Sequence, residues 1–347
     1  MLVLAAGTVC LTAGCSSIGY YGQAVAGHLA LMRQARPVAE VEADAATPGL
    51  LRERLGLSQR IRDYAVSELK LPDNSSYRRY AVLDRPAAVW NVVAAPTLSL
   101  TLKTWCFPVM GCVGYRGYYD RAPAGELASQ LQGQGFEVRV YGVPAYSTLG
   151  LTEWLGGDPL LSTFIRWPEG ELARLIFHEL AHQVAYAADD TTFNESFAVT
   201  VERIGGERWL ATQADAVARD EYMRFDRRRQ DFRALTLTWR EKLDALYGSP
   251  EPDAEKLQRK AALMAELRTE YERVKATQWG GYAGYDAWFA SANNAAFGVQ
   301  AAYNELVPEF ERLFASSGGD FERFYRQVKT LAALPKAERR AKLAHPG

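Results

Sequence analysis

Apolar residues recur at spacings of three and four along most of this chain, and the clearest run lies near its middle. Leu172, Leu175, Ile176 and Leu180 fall on one stripe, and no Gly or Pro interrupts Glu171 to Ala188, which predicts a helix. The same period predicts helices over Ile18 to Ala35 and Gly49 to Leu69, with Pro72-Asp73-Asn74-Ser75-Ser76 as a break. From Tyr77 to Val143 the pattern is mixed. Val89 to Val93, Leu98 to Leu102 and Phe136 to Val143 read as strands, and Ala124 to Gln134 as a helix ended by Gly135. Beyond Ala211 one stripe carries Phe225, Phe232, Leu235, Trp239, Leu243 and Leu246. A second carries Leu257, Ala261, Met264, Leu267, Tyr271 and Val274. The turn Gly248-Ser249-Pro250-Glu251-Pro252 between them predicts an αα-hairpin. Val307 to Phe314 and Phe321 to Leu331 predict helices that close the core. The expected class is α+β and mostly helical. Its segments are 1–14, a helical 15–76, an α+β core over 77–210 and a helical 211–347.

The central helix carries the chemistry. His178-Glu179-Leu180-Ala181-His182 is an H-E-x-x-H pattern, and residues four apart share a helix face, so His178 and His182 can grip one metal ion. Glu179 lies on the flank of that face, where a carboxylate can act on water at the metal. A catalytic zinc takes three protein ligands and leaves one position open. The chain has four histidines, and the other two, His28 and His345, lie near its ends, so the third ligand should be a carboxylate. Glu195 is the candidate. The first helix is expected to end at Asp189-Asp190 and a second to restart at Asn194, read as an N-cap, placing Glu195 opposite the histidines. Glu202, two turns further on, is the alternative ligand or the acceptor behind a ligand imidazole.

His178-Glu179-x-x-His182 followed by Asn194-Glu195 resembles the gluzincin metallopeptidases, whose third zinc ligand is a Glu on the next helix. The chain more closely resembles a family of bacterial lipoproteins described as zinc aminopeptidases. The matching residues are Tyr20 to Ala24, Trp105 to Pro108, Gly111-Cys112, Tyr115 to Tyr118, Ala145 to Gly150, Asp158-Pro159, His178 to Gln183, Phe193 to Ala198 and Asn293 to Ala295. The resemblance implies a zincin-like core with a small sheet on the N-terminal side of the zinc helix. It also implies Zn2+ on His178, His182 and Glu195, and peptide hydrolysis. Gluzincins often place a carboxylate four residues after the ligand Glu to steady a zinc histidine. Val199 stands there in this chain, and Glu202 is the expected substitute.

Charge and cysteine use narrow the setting. There are 40 basic and 41 acidic residues, which gives no nucleic-acid signal. Leu11-Thr12-Ala13-Gly14-Cys15 resembles a bacterial lipobox after the short apolar run from Leu2, although no Lys or Arg precedes Arg33. Cys15 is thus the expected lipid anchor, with residues 1–14 a signal peptide and Ser16 consistent with sorting to the periplasmic face of the outer membrane. In that oxidising compartment Cys106 and Cys112 suit a small disulfide loop; two buried thiols are the alternative. Arg227-Arg228-Arg229 reads as a solvated helix face.

The expected reaction is peptide hydrolysis with Glu179 as base and a Tyr as oxyanion donor. Tyr146, in the segment leaving the last strand that should line the substrate wall, and Tyr303 are the candidate donors. Asn293 and Asn294 read either as site residues or as helix caps. An aminopeptidase needs an acidic group near the substrate amine, for which Glu153, Asp158 and Glu202 are candidates. The rival reading is a non-hydrolytic envelope protein with a structural metal and a partner-binding hairpin. A fourth protein ligand would favour it, and an open position favours the enzyme.

Overall fold

The computed structural model describes residues 19–107, 111–150, 153 and 156–345. The anchor expected at Cys15 lies outside the described residues. Helix α1 (19–34) leads into β1 (Arg36–Pro37), α2 (Val38–Ala43) and α3 (Gly49–Ser67). The strands β2 (Arg79–Ala81), β3 (Val89–Pro96), β4 (Trp105–Phe107), β5 (Gly111–Val113) and β6 (Arg116–Tyr118) precede α4 (Arg121–Gly133) and β7 (Phe136–Val143). Then come β8 (Leu160–Leu161), α5 (Glu169–Ala181), α6 (Thr191–Thr212), α7 (Ala216–Tyr247) and α8 (Asp253–Thr277). The chain closes with α9 (Asp286–Ala290), α10 (Asn294–Asn304), α11 (Val307–Ser316), α12 (Phe321–Ala332) and α13 (Lys336–Ala344). The fold is mostly helical α+β, as expected. None of the described helices is long and apolar enough to cross a membrane.

The sheet beside the site has strand order β6-β3-β7, all antiparallel. β3 pairs with β7 from Val89↔Val143 to Pro96↔Phe136. Successive side chains of a strand face opposite ways, so a strand covered on both faces is apolar throughout. Val92 and Ala94 pack with Ala124, Ala128 and Leu131 of α4, while Val93 and Ala95 meet Ala295 of α10. Leu98 to Leu102 does not form the expected strand. β3 already has a neighbour on each side, and the chain turns at Pro96, where the amide of Ser99 donates to the Pro96 carbonyl. Leu100 instead joins the core of the helical hairpin.

The main core gathers Leu55 and Ile61 of α3, Phe177 and Leu180 of α5, Phe193 and Phe197 of α6, Phe310 of α11 and Phe324 of α12. Helices from the far end of the chain therefore complete the support beneath the central helix pair. The expected αα-hairpin is α7 and α8, joined through residues 248–252, with its own core of Phe232, Trp239, Leu243, Leu267 and Tyr271. Arg227 is exposed, but Arg229 departs from the solvated-face expectation. Its guanidinium donates to both carboxylate oxygens of Glu171, each at 2.9 Å, and so ties α7 to α5. Cys106 and Cys112 face one another across β4 and β5 and are joined as a disulfide.

Candidate metal centre

α5 begins after Pro168 and is buried along Leu172, Ile176, Phe177 and Leu180, which fixes its rotation. His178 and His182 then share the face turned to α6. The helix ends at Ala181, seven residues before the expected end, because the turn that follows diverts to Asp158 and Asn74. Gln183 donates to Ser76 Oγ and Asp158, and its own Oε1 accepts from Asn74. α6 starts earlier than predicted, and its N-cap is Asp190 rather than Asn194. Asp190 accepts from the Phe193 amide and is fully buried between the guanidinium groups of Arg339 and Arg340. Asn194 sits in the first turn instead. Its amide clamps the connector by accepting from the Ala187 amide at 2.8 Å and donating to the Ala187 carbonyl at 2.9 Å.

This arrangement brings His178, His182 and Glu195 together, all buried. The two Nε2 atoms are 3.2 Å apart, and Glu195 Oε2 lies 3.4 Å from one and 3.6 Å from the other. These separations are close to the ~3.3 Å edge of a tetrahedron built on ~2.0–2.1 Å metal bonds. Glu195 Oε2 is buried and accepts no hydrogen bond among the described residues, which is costly unless a cation faces it. The donor set is two imidazoles and one carboxylate, and it fits zinc. Among the described residues no fourth ligand joins the cluster, which borders a cavity of about 440 Å³.

Electrostatics reinforce the cluster. Burial alone would raise the Glu195 carboxyl, but His182 and His178 hold it down at about 2. Burial opposes a charge on His178, yet Glu195 and Glu202 raise its pKa well above the ordinary value. The cluster thus holds a positive charge, which a proton or a metal ion can supply. Glu202 Oε2 lies 2.9 Å from His178 Nδ1, close enough for an ion pair though not aligned as a hydrogen bond. Its other oxygen meets Arg174, which also donates to Tyr222 Oη at 3.0 Å. Glu202 therefore stands behind the histidine rather than in the ligand set. Glu179 lines the cavity, and burial raises its pKa against the opposing pull of His178 and His182.

Both candidate tyrosines reach this cavity. Tyr303 stacks on His178 with ring centroids 6.1 Å apart and planes 15° from parallel. Tyr146 Oη lies 2.8 Å from His28 Nδ1, and its ring meets Tyr119 edge-on. Val143 to Ser147 and Leu149 form part of the wall, as the pattern predicted. The candidate amine-binding carboxylates are committed elsewhere. Asp158 accepts from the Thr148 amide, its hydroxyl and Gln183; Glu153 accepts from the amide and hydroxyl of Ser75; Glu202 holds His178 and Arg174. Asn293 caps α10, and Asn294 bonds Pro96, Thr97 and Tyr247, so neither enters the site.

Sequence reasoning missed Tyr115, Tyr119 and Tyr186 in the wall, and the covering role of α1. Tyr20 and Ala24 of α1 line the cavity. Gln23 donates to the Gly117 carbonyl at 3.3 Å and accepts from the Tyr119 amide at 3.2 Å, bridging the outer edge of β6. Gly27 is needed there, because any Cβ would overlap the Tyr119 ring.

A family model described as "Putative aminopeptidase" matches residues 19–343. No curated protein and no solved structure matches the chain.

Proposed function

The chain belongs to the family described as "Putative aminopeptidase", and from that premise we propose that it is a zinc-dependent peptidase with a gluzincin-like centre, acting on peptides in the cell envelope and anchored through Cys15. The observation that carries the reading is the buried His178–His182–Glu195 cluster with three protein ligands, bordering a cavity that Glu179 also lines. Zinc held by these three side chains would supply Lewis acidity and bring water toward neutral ionisation. Glu179 takes a proton from the attacking water and delivers it to the leaving amine, a role suited to a carboxylate whose pKa burial has raised. Tyr303, stacked on His178, supplies a hydrogen bond to the developing oxyanion, with Tyr146, also in the cavity lining, as the second donor. Glu202 orients His178 through Nδ1.

Glu179→Gln tests this reading. It keeps the shape of the side chain and removes the base. Peptide cleavage should fall about a hundredfold or more, while zinc content and melting temperature barely change. Full cleavage by the variant would take Glu179 out of the mechanism.

A further inference from the structure

A second cavity, of about 380 Å³, lies among α6, α7, α10 and α11. α10 serves both cavities: Tyr303 lines the first, and Gln300 and Asn304 line the second. Its apolar lining includes Leu237, Phe297 and Val307. Its charged groups are mostly guanidiniums: Arg203 from α6, with Arg233 and Arg240 from α7. Arg233, Leu237 and Arg240 stand four and three residues apart, so one face of α7 presents all three.

Two of these three cations lack a paired carboxylate among the described residues. Arg203 is paired with Glu311 at 2.9 Å. Arg233 and Arg240 have no acidic partner within ion-pair distance among the described residues. Asp226, two turns before Arg233 on α7, is shared by Arg174, Arg229 and Gln230. Glu305, also in the lining, lies 3.6 Å from Arg340. Arg240 Nε is buried and has no hydrogen-bond partner among the described residues. Burial, and then the like charges of Arg203, Arg174 and Arg229, lower the Arg233 pKa against the weaker opposing pull of Asp226. A buried donor without an acceptor and a half-buried cation among cations each cost stability until an anion arrives.

We propose that this cavity binds a small organic anion, with a phosphate or carboxylate head on Arg233 and Arg240 and an apolar body against Leu237, Phe297 and Val307. Guanidinium forks match the paired oxygens of such a head. The volume lies near the lower end of small-ligand sites, about 300–1,000 Å³.

The test uses the full chain and three probes titrated by calorimetry: octyl phosphate, 1-octanol and inorganic phosphate. Octyl phosphate should bind the wild type at least about tenfold more tightly than either other probe, the scale of one charge-assisted hydrogen bond. Arg233→Met and Arg240→Met keep the apolar bulk and should each weaken octyl phosphate about tenfold. Their ligand-free melting temperatures should not fall, because each loses an uncompensated charge. Equal binding of octyl phosphate and octanol would make the cavity an apolar groove and overturn the proposal. Inorganic phosphate binding as tightly as octyl phosphate would remove the apolar half of the assignment and overturn it as stated. Undiminished binding by both variants would place the ligand elsewhere.

Discussion

At the candidate metal centre His178, Glu195 and Glu202 fix one another's charge, and this makes the response to pH directional. His178 has a folded pKa above its ordinary 6.5. Its protonated form therefore stabilises the metal-free protein fully below pH 6.5, and that contribution is lost as pH rises through the raised value. Glu195 and Glu202 are depressed from 4.5, so their contribution is full above that pH and lost as pH falls through their folded values. As far as this cluster decides it, the metal-free protein should melt highest between those two limits. Zinc in the proposed site would replace the proton on His178, so the rise in melting temperature on adding zinc should grow as pH increases above 6.5. Scans from pH 4 to 9 with and without zinc check both trends; a zinc effect that shrinks with rising pH would contradict them. Glu195→Ala should abolish zinc retention, whereas Glu202→Ala should weaken zinc by about 10–100-fold, as for outer-shell partners. Elemental analysis after dialysis separates the two. Tyr303→Phe should lower kcat about a hundredfold with little change in zinc content, the size of one lost oxyanion donor. The histidines and Glu195 were legible because spacing along a helix is a local property of sequence. Tyr146 was legible as a member of the wall and a candidate donor, but its partner was not. Its contact with His28 crosses 118 positions, and no local pattern announces it.

Elements were read best where one periodicity governs a long run, as in α7, α8 and β7. They were read worst where a tertiary partner decides. The start of α6 is the clearest case. Asn194 looked like the cap, but Asp190 takes that role because Arg339 and Arg340 arrive from α13 and make a buried carboxylate tolerable there. Burial alone would raise Asp190, yet these arginines hold it below the usual range. Asp190→Ala would remove the cap and leave Arg339 buried without its acid. Unfolding free energy in urea should drop by about 3–5 kcal/mol, the cost of breaking a buried pair. Zinc affinity should weaken with it, since the cap positions the turn that carries Glu195. A loss below about 1 kcal/mol would mean that Arg339 finds other partners in the folded chain, such as the Leu331, Ala332 and Leu334 carbonyls it already meets.

Across the whole molecule, the site is assembled from distant parts of the chain, which composition and local pattern could not reveal. The disulfide hairpin of β4 and β5 docks on the connector between α5 and α6. The Cys112 amide donates to Asp189 Oδ1 at 2.6 Å, and a Cβ on Gly111 would collide with the Asp189 backbone. α1 closes another part of the cavity with Tyr20 and Ala24, and Tyr20 also stacks on Phe107 of β4. The hold of α1 on the cavity sets a reach for the enzyme. If Cys15 carries the proposed lipid, three residues, and so four backbone steps, separate the anchor from position 19. Fully extended, those steps span no more than about 14 Å. The start of the wall helix, next to Tyr20 of the cavity lining, would be held within that distance of the bilayer surface. Bulky folded substrates would be disfavoured there, and short peptides close to the membrane would be sampled first. Cys15→Ser should release the protein from membranes and widen that choice, while cleavage of a small soluble peptide stays unchanged. A chain shortened to begin at residue 36 should lose even the small-peptide activity, because one side of the cavity leaves with α1.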